Sequence, residues 1–198
     1  MAMRVGVLAS GGGTNLQAIL DHLADRGNAA ATVVLVASNK QNAGAITRAR
    51  SAGVTAEVFD ADDDGSSLLA LVRTHNVELL VLAGYMKKIP ARVVDHFHRR
   101  MINIHPGLLP TFGGPGMYGA RVHDAVLASG ARTTGVTVHF VDNEYDHGPV
   151  IAQWPIPVHA DDTSESLAAR VLEVEHLVYP RVVELVAALN SRDFFADF

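Results

Sequence analysis

The chain has 198 residues, 48% hydrophobic and 19% charged, a globular composition long enough for one full-sized core. Its net charge of −5 leaves no basic excess for a nucleic-acid partner, and the lack of cysteine excludes disulfides, thiolate nucleophiles and cysteine zinc sites. The N-terminus has no signal-peptide layout and no apolar run reaches bilayer length, so a soluble cytoplasmic protein with no membrane partner is expected.

Strand and helix patterns alternate along the first half. Residues 4–10 are a short apolar run ending in glycines. Residues 14–27 place Leu16, Ile19, Leu20 and Leu23 at helical spacing and close on Gly27. A buried strand follows over 32–39, then a helix over 43–53 with Ile46 and Ala49 inward, then a weak strand over 56–60. The acidic stretch 60–67 reads as a solvated turn into a helix carrying Leu68, Leu69 and Val72. Residues 78–86 form a strongly apolar strand, and Pro90 suits the first turn of a short helix. A further strand is entered at 99–101. Continuous apolar strands in βαβα order predict an α/β fold: a Rossmann-like, mostly parallel twisted sheet with helices on both faces.

The second half changes character. Residues 111–119 are a glycine-rich loop. Residues 135–141 alternate, with Val136, Val138 and Phe140 on one face, and 150–158, with two prolines, suits an edge partner. Antiparallel strands are therefore expected in the C-terminal half. A long helix from about Thr163 is expected to pack Leu167, Val171, Leu172 and Val178. Asp162 and Glu165 would cap it, and Pro180 would kink or restart it. No repeat or linker appears, so a single domain over 1–198 is the simplest organisation.

Four constellations carry chemistry. In S-G-G-G-T-N (10–15) the glycines allow close backbone approach, and the helix that follows offers unpaired N–H groups to an anion. The bland reading is a tight turn. A dinucleotide fingerprint fails, because Leu16 stands at the third glycine and Ser38-Asn39-Lys40 brings no acid. A P-loop is absent too, which leaves a phosphate monoester as the better ligand. In N-I-H-P-G-L-L-P (103–110), Asn103 and His105 are two apart in an extended segment and project side by side. Pro106 ends the pairing just there. An amide and an imidazole so placed suit an oxyanion, although a histidine at a strand end is often only a satisfied polar residue. In D-N-E-Y-D-H-G-P (142–149), Asp142, Glu144 or Asp146 could serve a histidine, or all could be a solvated turn. His96, His98, His123, His139 and His147 invite a metal reading, but no ligand spacing supports one. In particular, H-x-H at 96–98 falls in an expected helix, where residues two apart share no face.

Taken together, S-G-G-G-T-N-L-Q-A (10–18), L-A-G-Y-M (82–86), N-I-H-P-G-L-L-P (103–110) and H-F-V-D-N-E-Y-D-H-G-P-V-I (139–151) resemble the folate-dependent phosphoribosylglycinamide formyltransferase family of purine biosynthesis. The match runs along essentially the whole chain. The asparagine-histidine motif alone marks the wider formyltransferase superfamily; the glycine loop and compact length narrow it.

The resemblance implies the formyltransferase fold and transfer of a formyl group from 10-formyltetrahydrofolate to the amine of glycinamide ribonucleotide. It implies no metal, no ATP, and a monomer or homodimer. The family's catalytic triad falls on Asn103, His105 and Asp146, with a protonated His105 and Asn103 holding the oxyanion. Substrate binding falls on Gly12, Gly13, Thr14, Asn15, Gly84, Met86, Pro106 and Glu175. The folate pocket maps onto Leu82, Tyr85, Met86, Lys87, Lys88, Ile89, Val94, Met101, Asn103, Val141, Asp142 and Asp146. Three departures stand out. The family's usual serine is Gly107 here, which would loosen His105. Lys87 and Lys88 replace an arginine and an apolar residue. His147 replaces a glycine. The competing readings are methionyl-tRNA formyltransferase, formyltetrahydrofolate deformylase, a non-catalytic nucleotide-binding module and a nicotinamide dehydrogenase. The last is disfavoured by Leu16 and Asn39.

Overall fold

A computed structural model describes residues 2–27, 29–61 and 64–189. Among them, seven strands make one sheet in the order β3-β2-β1-β4-β5-β6-β7. β1 (Met3–Leu8), β2 (Ala31–Ser38), β3 (Ala56–Val58), β4 (Leu79–Leu82) and β5 (Met101–His105) run parallel. β6 (Thr133–Phe140) and β7 (Val150–Pro157) turn antiparallel. This is the expected α/β sheet with its antiparallel C-terminal strands, and proline-bearing β7 lies at the edge, where a missing N–H costs no ladder bond.

Helices cover both faces, and strand alternation explains why. Val5 and Val7 of β1 enter one core with Leu16 and Ile19 of α1 (Thr14–Ala24) and Ala45 of α2 (Gly44–Ser51). Val122 of α5 (Ala120–Ala128) and Val183 of α6 (Ser164–Ala188) join the same core. Leu8 points the other way, to Leu68 and Val72 of α3 (Ser66–Thr74) and Val93 of α4 (Ala91–His96). Central strands covered twice are apolar along their whole length, as β4 is with all four residues buried.

Several boundaries differ from expectation. β4 stops at Leu82, and the chain swings away through Gly84, whose φ is +77°. α1 ends at Ala24, three residues before Gly27. Pro90 has an extended ψ of 140° and caps α4 rather than opening it. His98 lies beyond that helix. The cap of α6 is Thr163, in a reciprocal box with Ser166 (3.2 and 3.0 Å), while Asp162 lies outside and grips Arg170 at 2.7 and 2.8 Å. Leu172 faces solvent, and α6 runs through Pro180 without restarting. Buried Tyr179, Pro180, Val182 and Val183 anchor that turn to the sheet, which offsets the missing bond. α5 was not anticipated. Val122 and Val126 supply its apolar stripe.

Candidate active site

The chain leaves β1 toward β2 on one side and returns to β4 on the other. The carboxyl ends of β1 and β4 therefore flank a crevice, the usual ligand position in such sheets. The loop after β1 fills one wall. Gly13 caps α1 in a left-handed conformation (φ +75°) without any side-chain cap, so the first-turn amides stay open. Ser10 ties this loop to its surroundings: its Oγ donates to Asn39 Oδ1 (2.8 Å) and accepts from the Met86 amide (3.1 Å). Asn15 donates through Nδ2 to Glu175 Oε2 of α6 at 2.7 Å. Its Oδ1 is buried without a partner. Burial pushes the Glu175 carboxyl up to about 7, against the lowering effect of the Asn15 bond.

The second wall is the β5–β6 pair. Ile104 enters the core, and Asn103 and His105 share the other face, as the alternation predicts. Across the antiparallel register Asn103 faces His139 and His105 faces Thr137. His139 Nδ1–H donates to the Phe140 carbonyl (2.8 Å), which leaves Nε2 to accept from Asn103 Nδ2 (3.2 Å). His105 Nε2–H donates to the Phe112 carbonyl at 2.7 Å, so Nδ1 is the nitrogen turned to Asp146 Oδ2, 3.5 Å away. Burial lowers the His105 pKa, opposed first by the Asp146 charge and then by the Phe112 bond. Thr137 Oγ1 donates to the Gly107 carbonyl (2.7 Å) and accepts from the Leu109 amide (3.2 Å), fixing the turn after His105. Asp146 sits at φ +54°, and its Oδ2 accepts from the Gly114 amide at 3.1 Å. Asp142 instead pairs with exposed His147 at 2.8 Å. Of the three acids left open by the sequence, the fold brings Asp146 to His105.

A profile described as formyl transferase matches residues 3–183. The Escherichia coli protein named phosphoribosylglycinamide formyltransferase is 38% identical over 191 residues, covering 93% of this chain and 87% of that one. The chain belongs to this formyltransferase family. The chloroplastic phosphoribosylglycinamide formyltransferase of Arabidopsis thaliana is 46% identical over 91% of the chain, and the chain spans 64% of that relative's length. A solved structure of the glycinamide ribonucleotide transformylase 1 of Geobacillus kaustophilus superposes with a TM-score of 0.86 at 36% identity, covering 94% of this chain and 100% of that one. The sheet order and the antiparallel C-terminal strands are those of the formyltransferase fold.

Set against the residues that this family resemblance implies, one cavity of about 530 Å³ gathers most of them. Asn103, His105 and Asp146 line it, as do Asn15, Gly84, Met86, Pro106 and Glu175. So do Leu82, Tyr85, Lys87, Lys88, Ile89, Val141 and Asp142. Gly12, Gly13 and Thr14 stay outside the lining, immediately before Asn15. Val94 and Met101 are buried in the core beside α3 and α4 and do not reach the cavity. Lys87 and Lys88 are exposed, Lys88 with its Nζ 5.7 Å from the Tyr145 ring centre. Gly107 is packed closely against His105. A Cβ there would stand 3.0 Å from Val122 Cγ1 and 3.1 Å from His105 Nε2. Three parts of the site escaped the sequence reading. Residues 114–119 line the cavity, His139 holds Asn103, and the Tyr179 hydroxyl donates to the carbonyls of Leu82 (2.7 Å), the last residue of β4, and Ile102 (3.2 Å), within β5. The His139 signal was present: it alternates with Val138 and Phe140, but only the cross-strand register places it beside Asn103. Among the described residues no helix is long and apolar enough to cross a membrane, and no group of three or more His, Cys, Asp or Glu is placed to hold a metal ion.

Proposed function

We propose that this protein transfers the formyl group of 10-formyltetrahydrofolate to the amine of glycinamide ribonucleotide, giving formylglycinamide ribonucleotide and tetrahydrofolate in purine biosynthesis. The observation that carries the reading is convergence. Asn103 Nδ2, His105 Nδ1 and the Asp146 carboxylate meet in one cavity that also contains Asn15 at the α1 N-terminus. The apolar side chains of Leu82, Ile89 and Val141 line the same cavity and suit a flat pterin.

The chemistry needs no enzyme nucleophile. The neutral glycinamide amine adds to the formyl carbon, a new C–N bond forms, and the carbonyl oxygen becomes an oxyanion. One Asn103 N–H is held by His139, and the other is left for that oxygen. The His105 ring is locked as the Nε2–H tautomer by Phe112, so Nδ1 offers its lone pair to the amine proton. Asp146 stabilises the imidazolium so formed. Nδ1–H then returns the proton, directly or through water, to the departing folate nitrogen as its bond to the formyl carbon breaks. Holding both substrates face to face supplies much of the rate. Loss of one oxyanion donor typically costs on the order of a hundredfold or more in turnover. No step calls for a metal ion or ATP.

The test is a transfer assay with purified protein, 10-formyltetrahydrofolate and glycinamide ribonucleotide, following both tetrahydrofolate and formylated ribonucleotide. Equal release of the two products is expected. Tetrahydrofolate released with free formate, independent of the amine, would assign a deformylase instead, and ligand binding without either product would assign a non-catalytic module.

A further inference from the structure

The glycine loop that would receive the phosphate carries no cation of its own: residues 10–15 are Ser-Gly-Gly-Gly-Thr-Asn. A neighbouring helix supplies one. Arg48 of α2 is half-buried, and its Nε donates to the Gly12 carbonyl at 2.8 Å. Its Nη1 donates to Gln17 Oε1 of α1 at 3.2 Å. Among the described residues its Nη2 has no hydrogen-bond partner. The α2 backbone reinforces the same clasp, with the Ala45 amide donating to the Gly11 carbonyl at 3.2 Å. The fit is close. A Cβ on Gly13 would stand 2.6 Å from Ala45 Cα, and one on Gly44 2.9 Å from the Gly12 carbonyl oxygen.

Two consecutive carbonyls, those of Gly11 and Gly12, are therefore drawn onto α2. Carbonyl lone pairs repel an anion. Fixing them toward α2 gives the uncapped α1 amides an unopposed positive field. A second observation points to a ligand at the same place: Asn15 is nine-tenths buried and its Oδ1 has no partner, so it awaits a donor such as a ligand hydroxyl. We propose that Arg48 is a positioning residue for the phosphate monoester of the substrate, holding the glycine loop in its anion-binding shape and supplying the charge the loop lacks. The inference rests on the reading of this loop as the phosphate subsite. The reach of the Arg48 charge is visible at His176 of α6, whose pKa is lowered by burial and then by Arg48.

Calorimetric titration separates the possibilities. Parent protein, Arg48→Met and Arg48→Lys are each titrated with glycinamide ribonucleotide, with its dephosphorylated riboside, and with a folate. The parent is expected to prefer the phosphorylated ligand. Arg48→Met should weaken that ligand by about tenfold, the scale of one charge-assisted bond, and leave riboside and folate within about twofold. Arg48→Lys should recover part of the loss, since it restores the charge but not the two-pronged grip. At saturation, kcat should change little. Unaltered affinity of Arg48→Met for the ribonucleotide, or equal losses for ribonucleotide and riboside, would overturn the role of Arg48. A parent protein without preference for the phosphate would instead remove the phosphate subsite itself. Should Arg48→Met prove unstable, ribonucleotide binding by Arg48→Lys as tight as the parent's would count against the paired-bond clasp.

Discussion

Each ring nitrogen of His105 meets a different partner, and that division governs what the side chain can do. With Nε2 given to Phe112, Nδ1 is the nitrogen that faces Asp146, and in the proposed mechanism the proton moves through it. Asp146→Asn keeps the shape and removes the charge. It should cut turnover by on the order of a hundredfold or more with folate affinity within a few fold, whereas Asp142→Asn and Glu144→Gln should stay near the parent. A crippled Asp142→Asn would move the acid elsewhere. Gly107 guards the same ring. A serine there must push Val122 or His105 Nε2 aside, so Gly107→Ser should lower kcat by roughly tenfold, and adding Val122→Ala should restore most of it. No recovery in the double variant would refute the crowding. Glu175 adds a pH signature. Its carboxyl is raised from an ordinary 4.5 to about 7, so it disfavours the folded state progressively as pH climbs between those values. Glu175→Gln should therefore raise Tm at pH 8 and leave it unchanged at pH 4. The pair Asn103/His105 was legible because a strand's alternation and a following proline leave little freedom. By pattern alone Asp146 was not separable from Asp142 and Glu144, because a turn has no period to orient its side chains; only the family resemblance singled it out.

At the level of elements, the glycine loop and α2 work as one unit. Gly13 was expected to need a bare α-carbon for the ligand's sake. The structure turns its missing Cβ toward Ala45, at 2.6 Å from Cα, so helix-to-loop packing is a constraint in its own right. Gly13→Ala combines that clash with a left-handed φ of +75°. It should cost about 1–3 kcal/mol in urea unfolding before any ligand is added, and more if α2 shifts. A neutral result would mean that α2 yields freely. The parallel strands were readable from continuous apolar runs because both of their faces are covered. α5 was hidden because its stripe is short and follows a glycine-rich loop that carries no cap signal. Pro180 misled because local propensity argues for a break, while the buried residues around it hold the helix to the sheet.

Across the whole molecule, topology brings together what the chain keeps far apart. Asn15 and Glu175 are 160 residues apart in sequence and hydrogen-bonded, and the strand ends of β4 and β5 open on the cavity that both residues line. The sheet type followed from composition and order, but the antiparallel register that sets His139 against Asn103 came only from the packed structure. Direct transfer from a folate to an amine at this cavity is open to a donor competition. Glycinamide ribonucleotide would be offered 10-formyltetrahydrofolate labelled with carbon-14 in the formyl group, together with ATP and formate labelled with tritium. Product should carry carbon-14 alone, at a rate unchanged when ATP is omitted. Product carrying tritium and dependent on ATP would contradict it.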